Sequence, residues 1–342
     1  MTLNASGPII LAGTTAGQSI EIELGGSGTA QISLNCTTVR TLAGVASGAI
    51  IMPTNFYGKS NGTTKGVFYG GLVTTYTNLV TRINACGALV GSETAAGTAR
   101  GLFAGAKVGA NGLFYNVGLV TRINACGALV GSETNVGTVR NALAGATVGS
   151  NGLFYGGGTG GGGCCCVTYY NTVTRINACG ALVGSETNVG TARDYLAGAT
   201  VGSNGLFYGG CFRSNTVTRI NACGALVGSQ TNVGTVREIL AGATVGSNGL
   251  FYGGYATINN VGVISNIVTR INACGALVGS ETNVGTIRYA LAGATVGSNG
   301  LFYGGYAAAA SNLVTRINAC GALVGSQTNV GTAREYLAGA GL

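Results

Sequence analysis

Thr174-Arg175-Ile176-Asn177-Ala178-Cys179-Gly180-Ala181-Leu182-Val183-Gly184-Ser185 is the stretch on which the reading of this chain turns. The same twelve residues recur six times, with their arginines at Arg82, Arg122, Arg175, Arg219, Arg270 and Arg316. Phe-Tyr-Gly-Gly precedes five of the copies, starting at Phe68, Phe154, Phe207, Phe251 and Phe302, and has become Phe114-Tyr115-Asn116-Val117 before the second. A second arginine follows each copy in Gly-Thr-X-Arg, at Arg100, Arg140, Arg193, Arg237, Arg288 and Arg334. Self-similarity at this period marks a repeat architecture, in which each unit buries its apolar face against its neighbours.

Each unit contains short apolar runs bounded by turns. Ala-Gly-Ala-Thr-Val-Gly predicts one strand, and Ser-Asn-Gly a tight turn. Gly-Leu-Phe-Tyr-Gly-Gly predicts a second strand, followed by a segment of variable length. Val-Thr-Arg-Ile-Asn predicts a third strand, Ala-Cys-Gly a turn, and Ala-Leu-Val-Gly-Ser a fourth. Four strands in about 46 residues match one propeller blade. The first unit opens at Val67-Phe68-Tyr69-Gly70-Gly71 without its first strand, whereas Leu337-Ala338-Gly339-Ala340-Gly341-Leu342 reads as that missing strand. Joining the two makes six complete units in a closed ring, which needs no capping repeats.

The order of these motifs resembles the kelch repeat, over about residues 64 to 342: an arginine, a small apolar strand, an aromatic before Gly-Gly, a variable loop and an arginine-bearing strand. The resemblance implies an all-β, six-bladed kelch-like propeller over 64–342, closed by the C-terminal strand. The paired glycines would then end the second strand of each blade, as at Gly209-Gly210 and Gly253-Gly254. The tryptophan of the kelch fourth strand is absent. Residues 1–63 differ in character and close on Asn55-Phe56-Tyr57-Gly58-Lys59-Ser60. This region resembles the leader of bacteriophage tail structural proteins, which often ends in Phe-Tyr-Gly-Lys. That resemblance implies a small attachment domain docking the chain onto a tail or baseplate; the alternative is a β-rich cap beneath the propeller.

Composition narrows the function. The 342 residues include no histidine, which removes the commonest general base and most zinc and copper sites. Only 8% of residues are charged, nine of them acidic, so a carboxylate-pair enzyme has little to draw on. Among the variable segments only Asp194, Glu238 and Glu335 are acidic, and they belong to different units. Neither catalysis, nor a cofactor, nor a metal is expected. With 46% apolar residues the chain can build a core. No apolar run reaches the length of a membrane-spanning helix, and residues 1–7 lack a basic signal-peptide start. Residence in a virion tail assembled in the host cytoplasm fits both features, and no membrane insertion is expected.

The net charge of +8 comes from the twelve repeat arginines less Glu93, Glu133, Glu186 and Glu281, since the remaining charges cancel. The favoured role for these arginines is scaffolding, each tying one unit to the next through carbonyls or a glutamate. Attraction to acidic sugars or nucleic acid is the rival, and the absence of a recognised motif argues against nucleic acid. Cys86, Cys126, Cys179, Cys223, Cys274 and Cys320 occupy one equivalent turn per unit, too far apart for disulfides, and are read as small buried apolar residues. Cys164-Cys165-Cys166 and Cys211 fit no zinc spacing.

Comparison among the units separates two kinds of connection. The Ser-Asn-Gly and Ala-Cys-Gly turns barely change. The links between the second and third strands differ in length and composition, as do the positions just after Gly-Thr-X-Arg. In an up-and-down sheet those two variable connections emerge on one face, and binding residues commonly sit on variable loops held by a rigid scaffold. The variable loops hold Tyr76, Tyr169, Tyr170, Phe212, Tyr255 and Tyr306, the candidate receptor-binding residues. Tyrosine offers a stiff stacking surface with a hydroxyl handle, suited to a host glycan or protein; its rival role is to cover loop backbone.

The expected function is therefore a non-enzymatic bacteriophage tail protein, in a fibre, tip or baseplate. It would be oligomeric in the virion, dock other tail proteins through its N-terminal segment and present the variable face to the host surface. The rivals are a purely structural tail component and a cell-surface adhesin or sheath protein.

Overall fold

A computed structural model of the chain describes residues 18–23, 39, 43, 65–160, 168–211, 214–258 and 261–342. The chain divides into two compact units, Met1–Thr63 and Thr64–Leu342. In the first, the described residues include one helical turn, Ile20–Glu23; the Phe-Tyr-Gly-Lys segment lies outside them, as do Cys164 to Cys166. No helix among the described residues is long and apolar enough to cross a membrane.

The second unit is all-β and propeller-like. Its described strands form six four-stranded antiparallel sheets, with a two-stranded and a three-stranded sheet built from variable loops. In the sheet of the quoted stretch, Ala144–Val148 pairs with Asn151–Tyr155, which pairs with Thr172–Ile176, which pairs with Thr187–Asn188. Another sheet takes its first strand from far along the chain: Ala338–Gly341 pairs with Gly66–Tyr69, placing Tyr69 opposite Ala338. Lys65 and Leu342 extend this ladder by exchanging backbone hydrogen bonds of 2.7 Å.

The first hairpin turn is Gly149-Ser150, one residue earlier than Ser-Asn-Gly suggests, because Val148 pairs directly with Asn151. Glycine at its first position, at φ 61°, gives the two-residue loop the twist of its strands. The fourth strand also differs from expectation. Leu182 makes only an isolated bridge to Ile176, and regular pairing starts at Thr187. Gly184, at φ 65°, breaks the extended run that Ala-Leu-Val-Gly-Ser would otherwise make.

The core lies between neighbouring sheets. Phe154, Phe207, Phe251 and Phe302 on the second strands are fully buried, as are the tyrosines that follow them. Tyr155 meets Phe207 of the next sheet with ring centroids 5.2 Å apart and planes tilted by 53°, and Tyr208 meets Phe251 in the same way. Tilted aromatic pairs contribute ~1 kcal/mol beyond their buried area. Each tyrosine also keeps a partner for its hydroxyl; that of Tyr155 donates to Thr191 O at 2.8 Å. The first strands pack so closely that a Cβ on Gly198 would lie 2.3 Å from Gly145 O, and one on Gly242 2.3 Å from Gly198 O. Threonines in these strands bond across the same gap: Thr200 Oγ1 donates to Thr147 O at 2.7 Å and accepts from Thr147 N at 2.9 Å.

The arginines of Gly-Thr-X-Arg bind as scaffolding. Arg140 is fully buried and donates to Thr172 O at 2.7 Å, to Gly156 O and to Thr174 Oγ1, all in the sheet that follows it. Glu186 stands 3.9 Å from its guanidinium. Burial would raise the Glu186 carboxyl, but the Thr138 and Thr174 hydroxyls, the Thr138 amide and Arg140 outweigh it and hold the group below the usual carboxylate range. Glu93, Glu133 and Glu281 are held low in the same manner. In two sheets glutamine replaces glutamate, so Arg193 and Arg288 rely on carbonyls and hydroxyls alone.

Candidate functional site

The variable connections of adjacent sheets are laced together by backbone pairs. Asn141 bridges Gly158, Tyr289 bridges Tyr306, and Leu72 bridges Glu335. Arg237–Glu238 forms a short ladder with Tyr255–Ala256. The loop after a second strand thus rests on the link that follows a Gly-Thr-X-Arg arginine.

This lacing brings three tyrosines together. Tyr255, 39% exposed, meets Tyr289 edge-on with centroids 6.4 Å apart and planes at 78°. Tyr289 in turn meets Tyr306 at 5.5 Å and 51°. Burial raises the Tyr289 hydroxyl above its ordinary value, and the Glu335 carboxylate and the two neighbouring tyrosines push it further. The Glu335 carboxyl is itself raised by burial. Tyr289 keeps its proton at neutral pH and can both donate and accept.

The other candidates divide. Tyr76 is 49% exposed, and its ring lies over Gly101, where a Cβ would come within 2.8 Å of it. Leu72 bridges both Tyr76 and Glu335, so Tyr76 flanks the tyrosine group. Tyr169 and Tyr170 are half-buried at the edge of their loop, where Tyr170 N donates to Gly157 O and Tyr170 O accepts from Arg193 N. Phe212 lies outside the described residues. Tyr289 is absent from the six candidates read from the sequence, and its position directly after Arg288 is the signal that could have added it.

Between these loops, Leu102, Ala142, Tyr195, Ile239, Ala290 and Tyr336 all adopt φ between 52° and 58°, a conformation L-residues rarely take. The amide of each donates to the carbonyl of another member: Leu102 to Tyr336, Ala142 to Leu102, Tyr195 to Ala142, Ile239 to Tyr195, Ala290 to Ile239 and Tyr336 to Ala290, at 2.8–3.0 Å. They line a cavity of about 70 Å³. Asp194, beside Tyr195, is fully buried with neither carboxylate oxygen hydrogen-bonded.

The opposite face carries the near-identical turns, and here the cysteine expectation is overturned. Cys86, Cys126, Cys179, Cys223, Cys274 and Cys320 are exposed free thiols, and among the described cysteines only Cys211 is buried. The asparagine two residues earlier sets this orientation: Asn177 Oδ1 accepts from Cys179 N at 2.9 Å and Ala181 N at 3.0 Å, closing the turn through its amides and leaving the thiol outside. Ala85 of this turn lies beside Gly297, a hairpin glycine of another sheet, at 3.8 Å from a Cβ built there. No group of acidic and cysteine side chains among the described residues could hold a metal ion.

No protein-family model matches the chain, and no curated protein is similar to it in sequence.

Proposed function

We propose that residues 64–342 form a closed six-bladed propeller whose variable face binds a surface glycan or protein of a host cell, in a non-enzymatic bacteriophage tail protein. Pairing of Ala338–Gly341 with Gly66–Tyr69 and the unbroken run of amide–carbonyl bonds through Leu102 and Tyr336 support closure. The tail assignment rests on the resemblance of residues 1–60 to tail-protein leaders, through which the chain would dock neighbouring tail proteins.

The observation that carries the binding role is the segregation of difference from sameness. Exposed positions on the turn face repeat almost unchanged, while the other face varies and gathers Tyr255, Tyr289 and Tyr306 beside Glu335. Units of one ancestry would diverge on both faces unless something held one of them constant. Aromatic rings with adjacent hydroxyl and carboxyl groups suit a sugar, stacking against its apolar face and bonding its hydroxyls.

The test uses the full chain. Labelled protein should bind host cells, and Tyr255→Ala with Tyr289→Ala should reduce binding at least tenfold with the fold unchanged by circular dichroism. Undiminished binding by that variant would overturn the assignment of the site. Absence of binding by the parent protein would favour a purely structural role in the tail.

A further inference from the structure

The two arginine sets differ in one respect that scaffolding does not explain. Each arginine of the inner set, that of Gly-Thr-X-Arg, donates through both Nη atoms to acceptors in the sheet that follows it, as described for Arg140, although its Nε is buried without a partner among the described residues. The outer set, Arg82, Arg122, Arg175, Arg219, Arg270 and Arg316, is half-buried, and no carboxylate lies within ion-pairing distance of any of them among the described residues. Arg82 donates one hydrogen bond, to Ser92 O at 3.1 Å. The others have no side-chain bond of this kind among the described residues.

Each outer guanidinium nevertheless has a defined place. Arg122 Nη2 lies 2.7 Å from where a Cβ on Gly131 would stand, in its own hairpin, and its Nε lies 3.4 Å from that of Gly180 in the next sheet. The arginine thus spans two hairpins, its stem held and its donors unused. Beside it on the turn face lie the exposed thiol and an exposed leucine: Leu89, Leu129, Leu182, Leu226, Leu277 and Leu323 are all 36–39% exposed. The net charge of +8 amounts to this ring plus the two inner arginines that lack a glutamate.

We propose that the turn face is a docking surface for an acidic protein partner, with a partner carboxylate received by each outer arginine. Charge complementarity selects the partner: a ring of six unpaired cations repels a second copy of the same face and attracts carboxylates. Arginine beside modestly exposed leucine and small residues is the composition of a protein interface. The described residues of this face include no exposed aromatic side chain, which single-stranded nucleic acid would use for stacking and a membrane-surface site for anchoring. The inference stands whether or not the opposite face binds a host receptor. It also accounts for the sameness of the turns, because a partner engaging all six units constrains each one equally.

The probe is poly-L-glutamate, added to the full chain at low ionic strength. Binding should weaken steeply with salt. Replacing alternate arginines, in R122Q/R219Q/R316Q, should weaken it on the order of a hundredfold, from about fivefold (~1 kcal/mol) per pair. In the unaltered protein, saturating polyglutamate should slow maleimide labelling of the six turn cysteines, a readout that does not depend on the variant folding. Unchanged labelling, or unchanged affinity in a folded variant, would overturn the proposal. So would tighter binding to phosphatidylglycerol vesicles or to single-stranded DNA than to polyglutamate.

Discussion

Gln327→Glu should stabilise the protein, and the four glutamate-bearing sheets supply the arithmetic. There the carboxylate stands 3.5–3.9 Å from a buried guanidinium. At 3.8 Å and an effective dielectric near 20, that attraction is about 4 kcal/mol. Glutamate gains a further bond that glutamine does not make here: Thr235 N donates to Glu281 Oε2 at 3.0 Å, whereas Gln327 bonds only the Thr286 and Thr315 hydroxyls. Desolvating a carboxylate whose side chain stays 15–19% exposed in the sister sites offsets more than half of the sum. The net expectation is about 1–2 kcal/mol at pH 7. Gln230→Glu should add a similar amount, because the two sites share no partner.

The pH dependence gives the sharper test. A carboxylate held low in the folded state stabilises above its unfolded pKa, about 4.3, and the gain is lost as pH falls through the folded value. Urea titrations followed by near-ultraviolet circular dichroism of the buried tyrosines should show a higher midpoint for the variant at pH 7 and a difference that shrinks as the pH falls below about 4. A gain that does not shrink as the carboxylates protonate, or none at pH 7, would refute the ion-pair argument.

Other substitutions probe the backbone and the buried charges. Ala290→Gly should stabilise by about 0.5–1 kcal/mol in the same titration, since φ 55° suits glycine and little side chain is lost. Gly198→Ala should destabilise by ~3 kcal/mol because its methyl would meet Gly145 O at 2.3 Å. Asp194→Asn should stabilise by ~1 kcal/mol or more, relieving a buried carboxylate without hydrogen-bond partners. Maleimide treatment of the folded protein, read peptide by peptide in a mass spectrometer, should modify the six turn cysteines and spare Cys211.

Much of the fold was legible because repetition displays the period six times over. The buried Phe-Tyr pairs follow from strand patterning, and the Gly-Thr-X-Arg arginines behave as invariance suggests. Other features lay beyond the pattern. Cysteine's usual burial gave the wrong orientation for Cys179, since hydrogen bonds to Asn177 decide the turn. The two arginine sets recur equally often in the sequence, and only the structure shows that one is buried among acceptors and the other half-buried without a carboxylate among the described residues. Tyr289 joins Tyr255 and Tyr306 through contacts between sheets, which no single loop encodes. Positive φ at Ile239 and Tyr336 runs against residue preference and is held by neighbouring units, so local sequence carries no sign of it.

The pairing of Ala338–Gly341 with Gly66–Tyr69 also sets a timetable for synthesis. Five sheets can assemble from contiguous stretches as they leave the ribosome. The sheet holding Gly66–Tyr69 stays one strand short, with an open edge, until residues 338–341 emerge. A nascent chain of this design carries an adhesive strand edge throughout the synthesis of the residues between those two strands. Completing that sheet is a long-range step whose entropy cost falls due at once. A chain truncated near residue 330 would therefore have five sheets formed and one edge seeking a strand, a ready partner for swapping with another chain.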